Sequence, residues 1–454
     1  MKMSEEKNRN NLRLVGYGFG GVNLALVAVL PAQFLMVFFT NTAFLDIAVI
    51  SVILGVSRIF DGISDILVGN IIDNTRSRYG KAKIWIARMC VPFAVSMVLL
   101  FAVPSNWPEF AKYVYVFITY NLFMTVFSTF MIISQSSLMV LISDNMAERG
   151  KMSSVYNLFY QLCKTIVGAA FVKLLILFSD DAANPHTQRG YLFTVSLFGI
   201  MSVIASLILF FSTKERNVDG ADAPGGIQKN DFLTDIKILL KNKYWVIMML
   251  STVFTFIGNI LAGSSASYYT IYILHDFNAM ELFGLFPGLA GITATLILSI
   301  IKTPAEKSRI YVAAHFILVA GIIAVFLAGD NRTMLIAALL LQGLGMGCAS
   351  ASLNALMAES IEVSSRQSGK LIVGVGFAGM NAVQKFTMGA STAVYGAIMS
   401  ASGFDARLDS QGIMQPESVI SAIRLCFFGV PIVCYLIIAL MFLFLFDIRK
   451  VLKD

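Results

Sequence analysis

Two carboxylates stand where carboxylates are costly. Asp61 and Asp65 interrupt the apolar run ILGVSRIFDGISDILVGNII over residues 53–72. Four residues apart, they share one helical face about one turn from each other. At mid-membrane depth each costs roughly 2.5–3.5 kcal/mol on insertion scales, so it needs a partner or a task. A close carboxylate pair is a site for a monovalent cation. The pair titrates as a unit, so a shared proton and a bound sodium ion are both open to it. Lys385, within NAVQKFTMG, is a second buried charge and must be paired or neutral. Paired with Asp61 or Asp65, it would be displaced by the cation and report occupancy to the other half of the chain. The alternative is a permanent salt-bridge cluster of Arg58, Asp61, Asp65 and Lys385 that only holds helices together.

These residues need long apolar helices to position them, and the composition supplies them. The 454 residues are 57% hydrophobic and 13% charged, against about 25% charged in soluble domains. That excludes a soluble enzyme. Twelve segments can each cross a hydrocarbon core of about 30 Å. They lie near 14–40, 46–72, 84–104, 111–142, 153–178, 190–212, 244–274, 280–301, 309–328, 333–359, 371–401 and 418–446. Of 34 Lys and Arg, six fall inside spans (Arg58, Arg88, Lys164, Lys173, Lys385, Arg424) and four in one set of loops (Lys112, Arg189, Arg332, Arg407), leaving 24 in the other set. The positive-inside rule therefore places both termini in the cytoplasm of a multi-pass cell-membrane protein. The net charge of +7 reports topology, so no nucleic-acid partner is expected. The five cysteines make no metal spacing and read as small apolar fillers. No phosphate-binding loop is present, so no cofactor is expected and energy must come from an ion gradient.

The polar stretch 213–243 divides the chain into two sets of six spans. It predicts domains at 1–212 and 244–454, joined by a cytoplasmic linker in which FLTDIKILL forms a short amphipathic helix. SLMVLISDNMAERGK (137–151) and ALMAESIEVSSRQSGK (355–370) echo each other after the fourth and tenth spans, as related halves would. The first span opens GYGFGGVN; its glycines permit close helix approach, although such composition is ordinary in membranes. Asn157, Gln161 and Lys164 share a face of the fifth span. The amides suit hydroxyl groups, and Lys164 would meet a substrate carboxylate or pair with Asp61 or Asp65. Asp73 with Arg76, Arg78 and Lys81 forms an acid-plus-cation loop that reads as an inner gate.

The stretch from Arg58 to Trp85, with Asp61, Asp65, Gly69, Asp73, Arg76, Arg78, Gly80, Lys81 and Lys83 in order, resembles the glycoside–pentoside–hexuronide:cation symporter family, a branch of the major facilitator superfamily. Tyr17 to Gly20, Glu148–Arg149 and Lys385 match as well. The resemblance implies an all-α membrane protein with twelve transmembrane helices in two pseudo-symmetric six-helix halves. It implies that Asp61 and Asp65 carry the coupling cation, H⁺ or Na⁺, with Lys385 nearby. Ser64 and Thr129 join them as candidate cation ligands, and Arg58 joins Lys385 as a charge partner. The first and eleventh helices line the cleft in that fold, so Asn23, Asn381 and Gln384 become candidate substrate residues beside Asn157, Gln161 and Lys164. The chain departs from the family where that family binds galactosides: Ala25, Ile132, Ser136 and Asn157 stand in place of charged or aromatic groups, and Ser64 in place of Asn. The expected activity is symport of a sugar or sugar acid by a monomer in the lipid bilayer. Carriage of an organic anion or lipid-like solute, or a non-transporting sensor, are the alternatives.

Overall fold

The computed structural model describes residues 12–143, 146–180, 186–215, 232–300, 307–368, 373–410 and 413–447. Among them there are helices and no strands. Ten helical stretches are long and apolar enough to cross a membrane. Two further helices, Ile47–Asp73 of 27 residues and Val373–Ala401 of 29, are of spanning length and carry Arg58, Asp61 and Asp65 in one and Lys385 in the other. Together they fall, in order, on the twelve apolar segments of the sequence.

Side-chain caps start several helices. Asp46 accepts hydrogen bonds from the N–H groups of Ala48 and Val49 at 2.8 and 3.1 Å and begins Ile47–Asp73. Asn242 accepts from Tyr244 and begins Lys243–Tyr272, while its Nδ2 donates to Ser360 O at 2.7 Å. Each cap satisfies N–H groups that a helix cannot bond internally. Wide π-turns occupy Leu30–Leu35 and Leu425–Gly429; Pro31 sits in the first and Pro431 just beyond the second. Proline removes a donor and crowds the preceding turn, which a wider turn accommodates.

The chain forms two compact units. One comprises Met1–Asp222 with Met399–Pro416, the other Ala223–Ile398 with Glu417–Asp454. In the first unit the opening span (Leu12–Leu35) packs on the fifth (Glu148–Phe178), and the third (Lys83–Leu100) packs on the sixth (Gln188–Ser212). A Cβ on Gly21 would lie 2.5 Å from Tyr156 O, so here glycine is required by close approach and not merely by composition. In the second unit the tenth span packs on the eighth and ninth, and the twelfth on the seventh and ninth.

Two features differ from expectation. Residues 213–243 are not all linker. Thr213 and Glu215 are buried against the first unit, whereas Phe232–Lys241 is the helix expected of FLTDIKILL. The echo between 137–151 and 355–370 is one of sequence only: the first stretch breaks at Ser143 in extended backbone, whereas the tenth helix continues to Ser368.

At one end of the first unit an aromatic cluster joins Phe38, Phe101, Phe171 and Tyr191. His186 closes over it. Thr42 Oγ1 donates to His186 O at 2.9 Å, and His186 Nδ1 lies 3.0 Å from Tyr191 Oη. Burial pushes the His186 imidazole down to about 4. The unfolded chain takes a proton near pH 6.5 and the folded chain resists it, so stability present above that pH is lost as pH falls toward 4. The loss is on the order of 3 kcal/mol at most. Thermal unfolding in detergent at pH 7 and pH 4.5 checks this. His186→Gln should show a smaller acid loss than the native chain, and equal losses would rule the histidine out.

Candidate functional site

The site is built on the second span. Asp61 is 4% exposed, in the middle of the 27-residue helix Ile47–Asp73. Both of its carboxylate oxygens are engaged. Arg58 Nη1 donates to Oδ2 at 3.3 Å from one turn earlier, and Thr125 Oγ1 donates to Oδ1 at 2.5 Å from the fourth span. The Arg58 guanidinium carbon lies 6.0 Å from the Tyr120 ring centroid, which adds a cation–π contact. Ser64 Oγ donates to Asp61 O at 3.0 Å and stands 3.4 Å from Thr129 Oγ1. Asp65 follows one turn on and is half-buried.

The fourth span reaches this cluster through an irregular stretch. Asn121–Phe127 is a π-turn segment between Glu109–Tyr120 and Ser128–Ile142. Such bulges recur at functional sites because they re-aim side chains. Asn121, inside the bulge, donates through Nδ2 to Ser57 Oγ at 2.8 Å and to Phe117 O at 2.7 Å. Its Oδ1 stands 3.2 Å from Thr125 Oγ1. A continuous polar ladder, Ser57–Asn121–Thr125–Asp61, thus runs between the two helices.

The expected site residues divide as follows. The structure brings Arg58, Asp61, Ser64 and Thr129 together. It adds Thr125, which the sequence reading did not single out; the four-residue spacing of Asn121, Thr125 and Thr129 is the signal that could have found it. Asn157 is exposed and donates to Ser153 O of its own helix, while Gln161 and Lys164 are half-buried on the same helix. Asn381 is exposed, and Gln384 and Lys385 are half-buried, on Val373–Ala401 of the second unit.

Asn23 ties two helices together. It is 0% exposed, donates to Ser206 Oγ at 3.0 Å and accepts from Ser202 Oγ at 2.6 Å. One N–H and one lone pair of its amide join the first and sixth spans, and the side chain is fully buried between them. A better polar candidate in this region is Gln135. It is 1% exposed beside Tyr17 and Tyr156, and its Nε2 finds no acceptor among the described residues.

The basic loop is ordered by an unexpected acid. The Asp73 side chain lies outside the described residues. Arg76, Arg78 and Lys81 are exposed, and Arg78 donates to Tyr79 Oη at 2.7 Å. Behind them the Glu215 carboxylate, only 9% exposed, accepts from three consecutive backbone N–H groups: Lys81 at 2.7 Å, Ala82 at 3.0 Å and Lys83 at 2.6 Å. Lys83 Nζ donates to Thr213 O at 2.6 Å. The anion sits at the start of the third span, where unpaired N–H groups and the helix dipole favour it. Gly80, at φ +109°, turns the chain into this clasp.

Helices long and apolar enough to cross a membrane, one of them carrying a buried carboxylate at mid-span, are those of an integral membrane protein. Among solved structures, a D-xylose–proton symporter superposes with a TM-score of 0.65 at 14% identity, covering 95% of this chain and 96% of that one. A putative glycoside/cation symporter, YagG of Escherichia coli K12, is 25% identical over 93% of this chain and 88% of its own length. An isoprimeverose transporter of Lactiplantibacillus pentosus is 25% identical over 91% and 84%. The chain matches the MFS/sugar transport protein family over residues 16–450 and belongs to it. It is a membrane transporter of the major facilitator fold, not an enzyme.

Proposed function

We propose that this protein is a cell-membrane symporter that moves a sugar or sugar acid together with a monovalent cation, with both termini in the cytoplasm. The observation that carries the reading is Asp61: a carboxylate buried at mid-span, held by Arg58 and Thr125, in a member of a sugar-transport family. The relatives described as a glycoside/cation symporter and an isoprimeverose transporter support the sugar and the cation. Asp61 and Asp65 hold the cation with Ser64 and Thr129 at hand, and Lys385 senses its occupancy from the second half. The loop of Arg76, Arg78 and Lys81 latches the inner side. One charge moving through about 100 mV supplies roughly 2.3 kcal/mol, and a tenfold gradient about 1.4 more. Together these sustain accumulation on the order of several hundredfold.

Proteoliposomes with sodium and proton gradients imposed separately, offered a panel of sugars, uronides and organic acids, test the reading. Uptake of a sugar driven by one gradient is expected; response to organic acids alone would sink it. Within the substrate set, Lys164 offers the cation that an acidic sugar needs. Lys164→Ala should therefore lower uptake of uronides roughly tenfold more than uptake of neutral sugars, the worth of one charge-assisted hydrogen bond. Equal losses for both would remove the sugar acid from the proposal.

A further inference from the structure

Arg88 is a charge inside a span that symport does not use. It lies five residues into Lys83–Leu100, whose 18 residues rise about 27 Å and so just cross a hydrocarbon core of about 30 Å. Arg88, Val91, Val95 and Leu99 are exposed, fall three to four residues apart and share one face of that helix. The rest of its surface packs on the fourth and sixth spans. An exposed apolar face on a membrane span meets lipid, so Arg88 stands at one end of a lipid-facing stripe.

The guanidinium does not stay at the depth of its Cα. Its central carbon lies 5.5 Å from the centroid of the Trp85 ring, one turn back toward the start of the helix. The Cα–Cβ bond of a helical residue leans that way, and a long cation snorkels toward the headgroups. The indole beneath it is a fixed platform. Trp85 Nε1 donates to Thr75 Oγ1 at 2.8 Å, and its ring stacks on Phe130 at 4.7 Å. One face of the guanidinium therefore rests on an aromatic ring. Its N–H edge has no hydrogen bond or ion pair among the described residues. The Glu215 carboxylate, at this end of the span, is already taken by the N–H groups of Lys81, Ala82 and Lys83.

We propose that Arg88, seated on Trp85, binds the phosphate of an anionic phospholipid at the starting end of the third span. A guanidinium cannot give up its charge, and at the edge of the hydrocarbon it needs a counter-charge. Its planar fork matches two phosphate oxygens. Val91, Val95 and Leu99 line the path of an acyl chain that runs inward from the same headgroup. Arg76, Arg78 and Lys81, all exposed in the loop that leads into the span, select the anionic lipid. A zwitterionic headgroup would bring its own cation against them, whereas an anionic one meets only opposite charge.

Native mass spectrometry of the delipidated full chain, titrated in neutral detergent with phosphatidylglycerol or with phosphatidylcholine, tests the site. The native chain should bind its first phosphatidylglycerol roughly tenfold more tightly than phosphatidylcholine. Arg88→Gln should bring the two lipids to nearly equal affinity. Arg88→Lys, a point charge without the fork, should fall in between. Arg332→Gln removes an arginine that Asp276 already holds at 2.6 Å, and it should behave like the native chain. Inorganic phosphate at the concentration of the lipid should not compete. Equal affinities in the native chain, or a preference that survives Arg88→Gln, would overturn the proposal. A loss of the same size in Arg332→Gln would overturn it too, because the preference would then follow total charge. Competition by inorganic phosphate would remove the lipid as the ligand. Should Arg88→Gln fail to fold, Arg88→Lys decides, and a preference equal to the native one rejects the site.

Discussion

Asp61→Asn is expected to abolish uphill accumulation while leaving exchange of substrate across the membrane. On the proposed coupling, accumulation should collapse from at most several hundredfold to about one, because the roughly 3–4 kcal/mol of gradient energy has no group through which to act. The amide keeps the shape of the carboxylate and still accepts from Thr125, so the helices stay in contact. What it cannot do is gain and lose charge. Arg58 loses its counter-charge at 3.3 Å, and an unpaired buried charge costs roughly 3–5 kcal/mol. Lower thermal stability should accompany the uncoupling. Measuring accumulation and counterflow on the same proteoliposomes separates the two effects. If accumulation survives in Asp61→Asn and also in the double variant with Asp65→Asn, cation coupling does not run through this pair.

The second large effect is expected at the clasp between the basic loop and Glu215. Gly80→Ala meets two obstacles at once. Its φ of +109° is a conformation that alanine rarely adopts, and its Cβ would lie 2.3 Å from the Glu215 carboxylate carbon. That carboxylate cannot step aside without giving up three N–H donors. Glu215→Ala removes the same bonds from the other side and orphans the start of Lys83–Leu100. Each variant should lose about 2–4 kcal/mol, the range for a capping anion with several charge-assisted bonds. The two changes act on one contact, so the double variant should lose little more than either single one. Unfolding in detergent checks the cycle; fully additive losses would mean that the clasp is not a unit.

Much of the candidate site was legible in the chain before folding. Asp61 declared itself because a carboxylate in an apolar run is costly wherever the run goes. Arg58 and Ser64, three residues either side, share its helix face by periodicity alone. The basic loop and the long apolar helices were equally open to reading, since hydropathy and charge are properties of local sequence. Asn23 shows the limit. A polar residue in a membrane helix has to point inward, but whether it meets a ligand or a neighbouring helix depends on what stands opposite, here Ser202 and Ser206 from far along the chain.

A multi-span membrane protein with a carboxylate pair on its second helix could be read from the chain alone, because burial cost, helical period and loop charge are all local quantities. Which groups complete Asp61, and what organises the basic loop, emerged from the packing of the helices. Thr125 lies 64 residues from Asp61, aimed by a π-bulge, and Glu215 lies more than 130 residues from the N–H groups it caps. Partners so distant are set by how helices pack: spacing can put Thr125 on a polar face with Asn121 and Thr129, but not say that Asp61 stands opposite.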